Sequence, residues 1–273
     1  MQSNTVTVRV DELLDVAVAG LATTPVATGS ATTALPYQIT NTGNGPEAFN
    51  LTANPTVTGN DFDAVVQGIA VDTNGNGVYD PGIDQILTAG TPTAALAPDT
   101  ALTVFVLVNL PAGATDADTS QIRLTAEATT GTGPAGTVFA TQGVGGGDAV
   151  VGTSTGRDDG LDSIIATLAT VSLAKTAAIA DPFGGTESVP GAIITYSLVA
   201  TVAGTGTANA LRITDVIPTG TTYQPGTLRL QGSALTDAAD PDAGTASAAG
   251  IDVQLGNLAG GATRTVQFNV RIN

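Results

Sequence analysis

The side chains with the greatest potential for chemistry lie between Asp72 and Asp84, in the stretch DTNGNGVYDPGID. An oxygen-bearing side chain stands at almost every second position, with glycines between. Ca2+ takes roughly six to eight oxygen ligands, and loops that bind it turn tightly with alternate residues pointing inward. Counted from Asp72, the stretch places Asp72, Asn74 and Asn76 at the first, third and fifth ligand positions. Gly77 follows where such a loop bends, the Val78 carbonyl stands at the seventh position and Asp80 at the ninth. The twelfth, normally a closing carboxylate, is Ile83; Asp84, one residue later, is the expected closing ligand. The flanks, Gly68–Val71 and Gln85–Leu87, read as strands rather than helices. The plain alternative is an Asx- and Gly-rich hairpin tip that needs no ion. Three carboxylates in one bend repel one another without a cation, which favours a Ca2+ site formed by Asp72, Asn74, Asn76, Val78, Asp80 and Asp84. The ion would order the loop by mass action and stiffen the molecule.

Two further acidic clusters are weaker candidates. Asp158, Asp159 and Asp162 lie in GRDDGLDS, expected to be a solvated loop with Arg157 as its internal partner. Asp237, Asp240 and Asp242 lie in TDAADPDAG. Lys175 is the only lysine.

The rest of the sequence excludes much. With no His and no Cys there is no imidazole base, thiol nucleophile, disulfide or ordinary zinc or copper site. Nucleophilic hydrolysis would be limited to Ser-Lys chemistry, and Lys175 has no Ser-x-x-Lys context. Aromatic residues are only 4% with no Trp, so the platforms common in carbohydrate sites are scarce. No enzymatic activity is expected. Acids outnumber bases 24 to 8, and the net charge of −16 repels nucleic acid and anionic lipid. No apolar run is long enough to span a bilayer, so membrane insertion is not expected. The start, MQSNTVTVRV, lacks the basic and apolar regions of a signal peptide. The wealth of Thr, Val, Ala and Gly points to a secreted bacterial β-protein, so the signal is expected to lie outside this sequence.

The elements that must carry these residues are strands. Apolar and polar residues alternate in Thr5–Val10, Leu35–Thr40, Ala48–Ala53, Gln121–Ala128, Ile194–Val202 and Thr265–Ile272. Leu102–Val108 is apolar on both faces and should be a central strand. Asp11–Ala22 and Leu161–Val171 could score as short helices, but an internal repeat makes both entry strands. In each copy a Val-containing strand leads through a Pro-bearing loop to a strand begun by Tyr37 or Tyr196, then a Gly-rich turn and another strand. The 273 residues therefore divide into an opening strand (1–12) and two modules, 13–168 and 169–273. Ser3–Glu12 resembles Arg264–Asn273, the end of the second module. It folds onto the first module, is left from a preceding module that lies outside this sequence, or completes a sheet in a neighbouring subunit.

The second module carries Lys175, Pro190-Gly191 before ITYSLVATV, then Asp215, Pro218 and Gly220 in ITDVIPTGTTY, and a closing Gly-rich turn before its last strand. This order resembles the conserved-repeat domain of large bacterial cell-surface proteins, an immunoglobulin-like module. Ile217 replaces the family's Leu, and Ala203-Gly204 stand where an Asn is usual. The first module keeps ITNTGNG with Asn41 but lacks the Asp-x-Leu-Pro-x-Gly element. The strand-flanked acidic loop is similar to calcium loops of bacterial surface B-repeats and dockerin-like segments. The resemblance implies a secreted structural repeat without catalytic residues. In some surface modules of this immunoglobulin-like type a first-strand lysine condenses with an Asn or Asp side chain beside a buried carboxyl group, and the resemblance makes Asn269, with Asp215 or Glu187, the candidate partners of Lys175. The expectation is an all-β chain of tandem immunoglobulin-like β-sandwich modules: a calcium-stabilised stalk or adhesin repeat, or a pilus-like filament subunit joined by strand exchange. Its partners would be neighbouring repeats or other copies of itself.

Overall fold

The computed structural model describes residues 4–6, 8–22, 26–29 and 31–273. It is all-β; among the described residues the one helical element is a 3-10 turn at Val144–Gly146. The chain divides into two compact units, Met1–Ala166 and Thr167–Asn273.

Unit 1 contains β1 (Glu12–Leu14), β2 (Val16–Gly20), β3 (Val26–Ala27), β4 (Thr33–Asn41), β5 (Phe49–Asn54) and β6 (Val65–Val71). There follow β7 (Gln85–Leu87), β8 (Ala101–Asn109), β9 (Thr119–Ala128), β10 (Val138–Phe139), β11 (Ala149–Val151) and β12 (Arg157–Ala166). One sheet runs β2-β4-β8-β6-β7 and the other β3-β12-β9-β5, with β1-β11-β10 as a small third. Taking the main strands in chain order, the first, second, fifth and fourth form one layer, and the third, sixth and seventh the other. That is the strand order of an immunoglobulin-like sandwich. Alternation explains the core: Leu35, Tyr37 and Ile39 of β4 and Ile122, Leu124 and Ala126 of β9 are fully buried and pack in one cluster.

The continuous apolar run in β8 has a specific cause. Val104, Val106 and Val108 face the sandwich core, while Phe105 and Leu107 face outward and belong to a second buried cluster with Tyr79 packed on it. Pro36 is tolerated in β4 because β2 ends at Gly20, opposite Tyr37, and Pro36 need only accept from Leu21 N at 2.9 Å. Asn41 closes the ITNTGNG turn, its Nδ2 donating to the carbonyls of Gly45 and Leu96 and its Oδ1 accepting from Gly43 N.

Unit 2 contains β13 (Ala169–Ala180), β14 (Ile193–Gly204), β15 (Thr207–Val216), β16 (Thr221–Tyr223) and β17 (Arg229–Leu230). Then come β18 (Ser233–Ala234), β19 (Gly244–Ala246), β20 (Gly250–Ala259) and β21 (Thr263–Ile272). Its sheets run β13-β14-β21-β17-β18, with β16 also on β21, and β15-β20-β19. Leu198, Leu228, Val253, Val266, Phe268 and Val270 lead its core.

Three sequence expectations change. Leu161–Val171 is not one entry strand: Leu161–Ala166 ends β12 and Ala169–Val171 begins β13. The two tyrosines are not equivalent. Counted back from the shared turn glycines, Gly45 and Gly206, Tyr196 stands at the place of Leu35, two residues before Tyr37. The opening segment carries no strand at Asn4–Val6 or Val8–Val10, Thr7 lying outside the described residues.

Tyr37 is fully buried and its hydroxyl donates to the Ile122 carbonyl at 2.7 Å, joining the two layers. Burial holds its phenol neutral far above the usual range. Tyr37→Phe should lower the stability of unit 1 by about 1 kcal/mol, as expected for losing one buried hydrogen bond. Urea unfolding measures this, and an unchanged midpoint would show the bond to be without net effect.

Candidate metal centre

The acidic loop is the tip of the β6–β7 hairpin. Val71 pairs with Gln85 as the last rung, so Asp72 and Asp84 stand opposite one another immediately beyond it. This register explains why the closing carboxylate falls at Asp84: Ile83 is turned outward and 61% exposed, while Asp84 is buried. The neck is tied by carboxylates accepting backbone N–H groups. Asp72 takes Gly75 N at 2.8 Å and Gly77 N at 2.9 Å; Asp84 takes Thr73 N at 3.1 Å and Asp80 N at 2.7 Å. Gly75 and Gly77 have φ of 70° and 74°, the left-handed region that glycine enters without strain.

Further out, the side chains of Asn74, Asn76 and Asp80 meet. Asp80 Oδ2 accepts from Asn74 Nδ2 at 2.9 Å and from Asn76 Nδ2 at 2.7 Å. The amide oxygens accept from the chain ahead, Asn74 Oδ1 from Asn76 N and Asn76 Oδ1 from Val78 N. The structure thus brings Asn74, Asn76 and Asp80 to one point and sets Asp72 and Asp84 at the base. Among the described residues no group of three or more His, Cys, Asp or Glu side chains is close enough to hold a metal. An ion here would therefore draw on amide and carbonyl oxygens as well as carboxylates, a donor set suited to a hard cation. The Val78 side chain is 61% exposed, so only its backbone is available to the site. Tyr79 anchors the loop, its ring 5.9 Å from that of Phe105 on the outer face of the sheet.

The remaining candidates are structural. GRDDGLDS is not a loop but the start of β12, because its acids have acceptor work along the edge of β2. Asp158 Oδ2 accepts from Val18 N at 2.8 Å and Asp162 Oδ2 from Ala22 N at 3.0 Å. Burial raises the Asp162 carboxyl above its ordinary value, opposed by the N–H groups of Ala22, Ser163 and Leu21. Arg157 pairs with Glu127 at 2.9 Å, while Arg123 pairs with Asp159 at 3.1 Å. Sequence reading missed this edge-capping role because the paired residues are about 140 positions apart. Asp237 accepts from Tyr223 Oη and Gly226 N, and Asp240 and Asp242 both accept from Thr236, as turn-forming acids do.

Lys175 does not meet Asn269. Phe268 and Val270 of β21 point into the core, so Asn269 between them faces the other side of the sheet. Lys175 shares the inner face with Leu198, where its Nζ lies 2.5 Å from Asp215 Oδ2 and 4.2 Å from the Tyr196 ring centroid. Glu187 is exposed on a loop shaped by Asp181.

No protein-family model matches the chain, and no curated protein does. Among solved structures it is similar to the full-length RrgB pilus protein of Streptococcus pneumoniae, at 16% identity and a TM-score of 0.27. That match covers 85% of this chain but only 39% of the pilus protein, so the chain spans about two fifths of its length. It is also similar to the collagen adhesin CNA of S. aureus, at 12% identity and a TM-score of 0.25, covering 95% of this chain and 80% of that one. A partial N-terminal region of the enterococcal surface protein matches at 10% identity and a TM-score of 0.21, covering 100% and 87%.

Tyr79→Ala should uncover Phe105 and cost about 1 to 2 kcal/mol, the aromatic contact and its burial together. Chemical denaturation of unit 1 reads the loss. A neutral result would mean that the loop does not brace the sheet.

Proposed function

We propose that the chain is a non-catalytic structural module of a secreted bacterial surface protein, a stalk or adhesin repeat braced by Ca2+ at Asp72–Asp84. The observation that carries the metal reading is the convergence of Asn74, Asn76 and Asp80 above a neck made by Asp72 and Asp84. Asp72, Asn74, Asn76, Asp80, Asp84 and the Val78 carbonyl would hold the ion. It would take the place of the amide N–H groups that now donate to Asp80. The ion supplies no chemistry beyond charge and cross-linking, holding the hairpin tip, and Tyr79 with it, against β8.

The structural reading is supported by what the shared motif residues do. Gly191, with φ of 91°, turns the chain into β14; Pro218 and Gly220 form the turn after β15, where Thr221 Oγ1 donates to the Pro218 carbonyl. Lys175 and Asp215 form an ion pair. Each has a conformational or packing task, and Lys175 spends its ammonium on Asp215 and the Tyr196 ring. A second reading, a subunit of an extracellular filament joined by strand exchange through the opening segment, is favoured by the 75% to 80% exposure of Val6, Val8 and Val10.

Extracellular sites of this type bind with Kd on the order of 10⁻⁴–10⁻³ M. At about 10 mM Ca2+ unit 1 should then gain roughly 1.4 to 2.7 kcal/mol over the chelated protein by mass action. Thermal unfolding in Ca2+ and in excess chelator checks this, with Asp80→Ala and Asp84→Ala expected to abolish the difference. Equal melting temperatures for the unsubstituted protein would end the metal reading and leave the structural one standing.

A further inference from the structure

Within unit 1 one strand keeps an open edge. β5 ends the layer β3-β12-β9-β5, so only one of its two edges has a strand against it. The Ala48 carbonyl accepts from Thr129 N, which makes Asn50, Thr52 and Asn54 the residues whose backbone groups bond β9. Phe49, Leu51 and Ala53 turn their N–H and C=O groups the other way. Those of Phe49 are taken by Thr93, whose N donates to the Phe49 carbonyl at 2.9 Å and whose Oγ1 accepts from Phe49 N at 3.0 Å. Among the described residues none bonds the backbone of Leu51 or Ala53 on this side. Pro55, next in the same row, has no N–H to offer. The free edge therefore comprises Leu51 and Ala53, bounded by Thr93 at one end and Pro55 at the other.

Beside this edge lies a groove of about 420 Å3 between β5 and the β6–β7 hairpin, with Leu51, Ala53, Val66, Ile69, Ile86 and Leu87 in its lining. No residue that lines it is charged, although the chain carries a net charge of −16. Ile86 is half exposed, and Leu51 and Ala53 are only partly buried. Natural sheet edges are usually blunted by a charge, a proline or a bulge. The strand itself, FNLTAN, has none of these. On its outer face Asn50, Thr52 and Asn54 are exposed, and each side chain can both donate and accept. Behind them on β9 stand Glu127, Thr125 and Arg123, paired with Asn50, Thr52 and Asn54 in that order.

We infer that unit 1 pairs with unit 1 of a second copy of the chain, β5 against β5, antiparallel about a two-fold axis at Thr52. The edge is complementary to itself in three ways. First, Leu51 stands opposite the partner's Ala53 and Ala53 opposite the partner's Leu51, each pair exchanging two backbone hydrogen bonds, so every free group of the edge is satisfied. Shifting the register either way sets Phe49, already taken, or Pro55, without an N–H, opposite a free group. Second, Asn50 meets the partner's Asn54 and Thr52 meets its own twin, pairings that amides and hydroxyls satisfy between themselves. Third, the row through Asn50 runs from Glu127 across the joint to the partner's Arg123, so unlike charges end it. On the inner face the partner's Leu51 and Ala53 come over the uncharged groove, toward Ile86 and Leu87. A two-fold contact of this kind is isologous and closes at a dimer. It depends neither on the Ca2+ reading nor on strand exchange through the opening segment.

The test uses the full chain, which has no cysteine of its own, so an introduced thiol reports register without background. Thr52, Asn50 and Asn54 are exposed, and opposed residues of this kind lie about 4.5 Å apart at Cα, within reach of a disulfide. Under mild oxidation Thr52→Cys should run as a linked dimer on a non-reducing gel. Asn50→Cys and Asn54→Cys should each stay unlinked alone and link when mixed. Without cross-linking, sedimentation velocity over a concentration series should show the unsubstituted chain passing from monomer to dimer. Ala53→Pro removes an N–H that faces the free edge and leaves the β9 ladder intact, so it should remain monomeric with its fold kept, which circular dichroism and melting verify. An unsubstituted chain that stays monomeric would overturn the inference. So would linking of Asn50→Cys alone as fast as of Thr52→Cys, which would mean random collision. Association that survives Ala53→Pro and grows beyond a dimer would overturn it too, and leave strand exchange standing.

Discussion

An antiparallel sheet with apolar side chains on one face persists in water only when a second layer removes that face from solvent. Everything particular to this chain follows from how that cover is supplied. In unit 1 it is supplied twice. The inner face of β2-β4-β8 is closed by β9 and β12, and the outer face of β8 by Tyr79 from the hairpin tip. The acidic loop is thus joined to the core by its own side chain, so whatever orders the loop also tightens the packing on Phe105. In unit 2 the cover reaches β14 and stops short of β13.

Much of the layer structure was legible in the sequence because a strand's period of two is a local property. The apolar run Leu102–Val108 announced a strand buried on both faces, and ITNTGNG announced a turn, though not that the Asn41 amide would hold it. Pairing between distant segments was not legible. Asp158 and Asp162 read as a solvated acidic loop, yet they close open N–H groups on β2 and just beyond its end, which no local pattern reveals. Tyr37 and Tyr196 invited alignment as like residues, but the register puts Tyr37 at the place of Leu198. The site showed the same division. Its oxygen spacing was readable, whereas the displacement of the closing carboxylate to Asp84 follows from the Val71–Gln85 rung, a tertiary fact.

The excess of acid acquires a structural meaning in this light. Carboxylates only accept hydrogen bonds, each with several lone pairs, and a fold of edges and turns has many N–H groups to satisfy. Asp15 accepts from Thr153 N and Ser154 N, Asp181 from Phe183 N, Gly185 N and Glu187 N, and Asp242 from Thr236 N and Gly244 N. These bonds hold the carboxyls of Asp181 and Asp242 below their ordinary values, which keeps them charged. Much of the net charge of −16 therefore comes from acids fixed in place as backbone acceptors rather than from a freely solvated coat.

The same economy bears on the loop. Asp72 and Asp84 each accept two backbone N–H groups, as the turn-forming acids do elsewhere, and alone they would mark only a well-made hairpin tip. What sets the loop apart is Asp80, whose Oδ2 is met by two side-chain amides instead of by the backbone. Asparagine offers a nitrogen or an oxygen by half a turn of its amide, so the two groups that now donate to Asp80 would become ligands under the proposed cation. Among the described residues no other acidic cluster combines a carboxylate with two such reversible neighbours, and this, more than the count of oxygens, is what supports the proposed cation site over a plain turn.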